Sequence, residues 1–195
     1  MVPRKTSSKL GPRVKRIRAG AGFATLASGE EGGCAHGEDP LRRRGALRKR
    51  VSSEYGPWSD ELELTKRMID EFAELTGDRQ WIHVDVERAR RESRFGGPVA
   101  HGFLTLSLLP RIGSRDRAGY EVVGQGSVVN YGSDKLRFLS PVPAGAKLRA
   151  RSRLAEVEAT PKGTRGVREI AVHVAGSERP ALLYQMMVLY EPKPR

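Results

Sequence analysis

The segment HGFLTLSLLPRI (residues 101–112) predicts a helix that is apolar on almost every face, with Phe103, Leu104, Leu106, Leu108 and Leu109 leaving no polar stripe. Such a helix belongs in the middle of a fold, so other elements must wrap it. Candidates for the wrapping lie downstream. Four β-rich stretches follow residue 119, at 121–131, 134–139 with 147–158, 165–175 and 182–190, punctuated by Gly and Pro. The first stretch and its continuation SDKLRFLSPVPAG read as one bent strand or two. Upstream, ELELT (61–65) alternates like a short strand. The next run, TKRMIDEFAEL, puts Met68, Ile69, Phe72 and Leu75 on one helical face, with Thr65 as N-cap and Thr76-Gly77 as the stop. Asp85 is placed to cap a further helix over about 86–93, which FGGP (95–98) ends. Helices first and consecutive strands afterwards predict an α+β domain, an antiparallel sheet around one buried helix.

Length and charge narrow the functional classes. A chain of 195 residues suffices for one domain with a real core, or one domain plus a tail. A net charge of +12 would suit nucleic acid or an anionic membrane as partner, but it is unevenly placed. Residues 1–50 hold 13 Lys and Arg against 4 Asp and Glu, whereas the rest of the chain holds 22 against 19. We therefore divide the chain into a basic extension, 1–50, expected to be disordered, and a folded domain, 51–195. Aromatics for base stacking are nearly absent from the extension, so a solvated tail or a misassigned start is favoured over a nucleic-acid arm. Nucleic acid is not expected as a partner. Cys34 is the one cysteine, which excludes a disulfide framework within the chain and fits a reducing compartment. No apolar run approaches the ~20 residues of a membrane span. Residues 1–29 share the acid-free, basic composition of a transit peptide but lack the apolar stretch of a secretory signal. The expected location is the cytoplasm.

The chemistry lies in two stretches. In TGDRQWIHVD (76–85), Asp78 and His83 stand five apart with Trp81 and Ile82 between them, so apolar side chains carry an acid and an imidazole inward. A carboxylate and an imidazole held near each other can share one water, each accepting a hydrogen. In VAHGFLTLSLL (99–109), Gly102 opens the apolar helix, where backbone N–H groups lack an intrahelical partner. Without a side chain it would let a substrate carbonyl reach that N–H, with the helix dipole adding polarisation. A donor of this kind is worth roughly 3 kcal/mol of barrier. A base pair and an oxyanion donor are what water addition next to a carbonyl needs.

Other motifs are absent: there is no GxGxxG after a strand, no GxxxxGK[ST], no HExxH and no GxSxG. No cofactor is implied. A metal held by Asp78, His83 and Asp85 is disfavoured, because no second histidine lies close in sequence, and none is expected. His101 reads as structural, ahead of the helix that Gly102 opens; His173 reads as a cross-strand partner, and His36 lies in the extension.

TGDRQWIHVD followed by FGGPVAHGFLTLSLLPRI resembles the MaoC-like dehydratases, the (R)-specific enoyl-CoA hydratases of the hot-dog fold. It is nearest to the NodN-like branch, where Gln-Trp replaces the usual Asn-Pro between the acid and the histidine, and VNYGSDKLRFLSPVPAGAKLRAR (129–151) is similar as well. The resemblance covers about residues 58–192. It implies a hot-dog sheet around the central helix, catalytic Asp78 and His83, and Gly102 as the oxyanion-hole residue, with Trp81, Ile82, His101 and Phe103 beside the substrate. It also implies an acyl-CoA or acyl-carrier-protein thioester as substrate, and a homodimer. A supporting serine found in some members falls on Pro110 here, with Ser107 and Thr105 as possible stand-ins. A hot-dog thioesterase, a non-catalytic thioester binder and a nucleic-acid binder acting through residues 1–50 are the competing readings.

Overall fold

The computed structural model describes residues 47–113 and 125–192. The expectation of disorder for residues 1–50 therefore falls largely outside the described residues. Leu47, at their start, is buried against Leu154 and Val157.

Five strands form one antiparallel sheet in the order β1-β3-β4-β5-β2: β1 (Leu62–Leu64), β2 (Gln125–Phe138), β3 (Ala146–Thr160), β4 (Gly163–Val174) and β5 (Leu182–Pro192). Among the described residues, five short helices lie between β1 and β2 in sequence: α1 (Lys66–Thr76), α2 (Trp81–Val84), α3 (Val86–Glu92), α4 (Gly102–Ser107) and α5 (Leu109–Ile112). The sheet curls around α4 and α5, as expected of an α+β hot-dog fold. Leu104, Leu108 and Ile112 meet Leu148, Ala150, Ile170, Val172 and Leu182 of the sheet, with Leu64 and Ile69 closing one side. Along β3, Leu148 and Ala150 point into this core and Leu154 into the smaller cluster with Leu47 and Val157, so Arg149, Arg151 and Arg153 fall on the outer face. β2 is a single strand, bent by register shifts at three points along its pairing with β5.

Local chemistry explains the helix ends. The Thr65 hydroxyl accepts from the Met68 N–H at 3.3 Å, the N-cap bond that the sequence predicts. Gly77 ends α1 at φ 77°, a left-handed turn that costs glycine little. The buried residues of α1 are Ile69 and Ala73, four apart; Leu75, assigned to the same face from spacing, is 82% exposed. The Asp85 carboxylate caps α3 through the Arg88 N–H at 2.9 Å.

The central helix is shorter than its apolar run suggests. It breaks at Leu108, and Pro110 falls within the first turn of α5. Proline has no N–H to continue the ladder, and its ring crowds the preceding turn. Phe103 is 61% exposed, so this helix is not buried on every side. Among the described residues no helix is long and apolar enough to cross a membrane.

Candidate active site

The carboxylate and the imidazole of TGDRQWIHVD come together because the chain turns twice within eight residues. Gly77 directs the backbone out of α1, and α2 then forms a single helical turn that the sequence reading leaves as loop. His83 sits on the inner side of that turn, 7% exposed. Its Nδ1–H donates to the Val99 carbonyl at 2.7 Å, because a carbonyl can only accept. The neutral ring therefore keeps its lone pair on Nε2. Desolvation by burial lowers the His83 pKa from its ordinary value, the Val99 bond and the Asp78 charge oppose that shift, and His101 adds to it. His83 is neutral at physiological pH and able to take a proton.

Asp78 occupies wetter surroundings. Its side chain is 57% exposed. One carboxylate oxygen accepts from the Gln80 N–H at 3.4 Å, and the other faces His101 Nε2 at 4.0 Å. A carboxylate oxygen of Asp78 and one ring nitrogen each of His83 and His101 all lie within 4.8 Å of one another. One water can bridge groups at that separation. The expectation of an acid carried into a dry place thus holds for the imidazole, while the carboxylate stays at the rim.

His101 is the residue that sequence reasoning undervalued. It is 3% exposed and stacks on His83 with ring centroids 3.8 Å apart. Phe72 lies 5.1 Å away on α1. Its Nε2–H donates to the Asp78 carbonyl at 2.9 Å, and its buried Nδ1 has no hydrogen-bond partner among the described residues. His101 thus ties the acid-bearing turn to the start of α4, across 23 residues of sequence. The one available signal was its position directly before Gly102. The supporting hydroxyls anticipated at Ser107 and Thr105 bond instead to carbonyls one turn back in their own helix, Phe103 at 2.7 Å and His101 at 3.4 Å.

A cavity of about 290 Å³ adjoins this cluster, lined by Ile82, His83, Gly102, Thr105, Phe138 and Val142 among others. A Cβ on Gly102 would lie 2.9 Å from the Phe138 ring, so any side chain there requires that ring to move. Its N–H belongs to the uncapped first turn of a six-residue helix, which retains free donors but has a shorter dipole than a long helix. Ile82, His83 and Gly102 line the cavity. Trp81 lies half-buried with the Arg88 guanidinium carbon 4.5 Å from its ring centroid, and Phe103 packs edge-on against Phe138 at 5.6 Å. Asp85, spent as a helix cap, stays apart from the Asp78, His83 and His101 cluster.

An acid and imidazoles beside an apolar cavity with free backbone donors form a site of the hydratase/dehydratase type. Comparison with known proteins agrees. Residues 55–174 match the family described as MaoC like domain. The chain is 44% identical over 133 residues to the 3-hydroxyacyl-thioester dehydratase Z of Mycobacterium tuberculosis, covering 68% of this chain and 85% of the relative. It is 37% identical over 152 residues to nodulation protein N of Rhizobium leguminosarum bv. viciae, covering 74% and 89%. In fold it is similar to the crystal structure of the MaoC-like dehydratase from Rhodospirillum rubrum, with a TM-score of 0.57 at 18% identity over 76% of this chain and 98% of that one. The chain belongs to the MaoC-like dehydratase family, in its NodN-like branch, and is a hydro-lyase with the hot-dog fold.

Proposed function

We propose that the protein adds water reversibly to a trans-2-enoyl thioester, giving the (R)-3-hydroxyacyl thioester, with coenzyme A or acyl carrier protein as the carrier. The supporting observation is one apolar cavity on which His83 and the Gly102 backbone both open, with the Asp78 carboxylate within 4.8 Å of a His83 nitrogen. A relative 44% identical over most of its length carries the name of a 3-hydroxyacyl-thioester dehydratase. In this reading His83 Nε2 takes one hydrogen of the bound water while Asp78 accepts the other and orients it. The water oxygen bonds to the β-carbon, and the electron pair of the double bond moves toward the α-carbon and the thioester oxygen. The Gly102 N–H stabilises that oxygen, and the proton held by the Asp78/His83 pair then passes to the α-carbon. His101 positions the acid, and Ile82 and Phe138 exclude bulk water. Trp81 and Phe103, also expected beside the substrate, are not among the residues that line the cavity.

A homodimer fits the same reading. β2 is an edge strand of 14 residues whose Val128, Val129, Tyr131 and Phe138 are 41–55% exposed, more apolar surface than an unpaired edge usually carries.

The test is turnover of crotonyl-CoA and longer trans-2-enoyl thioesters on both carriers, followed by loss of the conjugated absorbance and by chiral analysis of the product. Asp78→Asn and His83→Ala should each lower the rate about 10²- to 10⁴-fold with the circular dichroism unchanged. Wild-type turnover in both variants overturns the assignment of the base. Release of free thiol without a 3-hydroxyacyl product would make the protein a thioesterase instead.

A further inference from the structure

A second cavity of about 290 Å³ lies on the outer face of the sheet, away from the buried helix. Trp58, Arg149, Arg151, His173, Ser177 and Glu178 line it. Alternation along β3 sets Arg149 and Arg151 outward, and the antiparallel register places His173 of β4 directly beside Arg149. The segment before β1 runs along the free edge of β3, with the Ser59 N–H donating to the Ala150 carbonyl at 2.7 Å and the Gly56 N–H to the Ser152 carbonyl at 3.0 Å. That path lays Trp58 over the arginines.

The charge there is unusual. The guanidinium carbons of Arg149 and Arg151 lie 4.2 and 4.5 Å from the Trp58 ring centroid, so the two cations are no farther apart than the sum, about 9 Å. Arg153, next along the same face, is ion-paired with Glu169. Neither Arg149 nor Arg151 pairs with a carboxylate among the described residues, and the Nε of each is buried without an acceptor. Ring faces attract a cation but supply no counter-charge. Two close cations in a partly desolvated cavity repel each other, and an anion between them removes that repulsion. The wall opposite is held in place, since the His173 Nδ1–H donates to the Ser177 carbonyl at 3.1 Å and the His173 ring packs edge-on against Trp58 at 4.9 Å.

We infer that this cavity is a binding site for a phosphate group. Two permanent cations match a phosphate dianion better than a single carboxylate, and guanidinium forks suit its oxygens. The site lies on the opposite face of the sheet from His83 and Gly102, so it stands independently of the hydration chemistry.

The test is calorimetric titration of the full chain at constant ionic strength, with chloride as reference and two probes, inorganic phosphate and adenosine 3′,5′-bisphosphate. Saturable binding is expected for at least one probe, weakened about tenfold or more by Arg149→Gln with Arg151→Gln, while enoyl-thioester turnover stays unchanged. Tighter binding of the nucleotide assigns the site to a nucleotide-borne phosphate, and equal binding assigns it to free phosphate. No saturable binding of either probe, or equal affinity in the double variant, overturns the inference. Should the double variant fail to fold, Glu178→Gln takes its place. Removing the carboxylate that lines the cavity should tighten binding about two- to fivefold, and unchanged or weaker binding then counts against the site.

Discussion

The two cavities are alike in volume and differ in the balance of their walls, mostly apolar in one and largely polar in the other. The inner one has mostly apolar walls with Arg94 among its lining, and the group proposed as its base is an imidazole whose pKa burial lowers. The outer one is walled by guanidiniums stacked on an aromatic ring. The difference suits the role proposed for each group. A base has to lose its proton, so a histidine in a dry place serves, because desolvation favours the neutral form. A group that holds an anion must stay charged, and arginine keeps its proton at any pH a cell reaches.

One sheet supports both faces, and its core is where the comparison can be broken most severely. Leu148 is fully buried, next to outward-facing Arg149 on β3. Leu148→Ala should cost about 2–5 kcal/mol, read by urea unfolding. Both cavities should be lost in one transition; separate transitions would mean that the faces are not cooperative. Gly102→Ala comes next. Its methyl group would press on the Phe138 ring, costing about 1–3 kcal/mol, and turnover should fall about 100-fold. Adding Phe138→Leu should recover stability and leave the rate low, which separates crowding from loss of the carbonyl site.

The smallest effect concerns pH. The folded-state pKa of His83 lies below its unfolded value, so between the two the unfolded chain binds more protons. The stability that depends on neutral His83 is therefore present above the usual imidazole value of about 6.5 and lost as pH falls from there toward the folded value. His83→Gln should flatten that part of the stability curve relative to wild type. The acid limb of the wild-type rate profile should fall below pH ~6.5 for the same reason. A limb at or above that value would remove the contrast between the neutral imidazole and the permanently charged arginines.

Short-range features of this fold were readable in the chain. Thr65 and Gly77 bound α1 because capping needs only neighbours, and Asp85 caps α3 likewise. The spacing of Asp78, His83 and Gly102 also suggested a shared site, though hot-dog topology and a thioester substrate came from family resemblance. What sequence left obscure depends on distant partners. The single turn Trp81–Val84 is too short for periodicity to register. Leu75 had the right spacing and lacked a surface to cover it, while Ala73 had one. The break at Leu108 followed from Pro110, whose meaning the apolar run masked. His101 bonds to a carbonyl 23 residues away, and Trp58 meets arginines about 90 positions later, contacts fixed only once the sheet register is set.

The bond from His83 to the Val99 carbonyl carries a practical consequence for inhibitor chemistry. With Nδ1 committed to that partner, the ring offers incoming compounds only an acceptor. A warhead presenting a hydroxyl or amide hydrogen there would be welcomed, and one presenting an ether or nitrile lone pair would be refused.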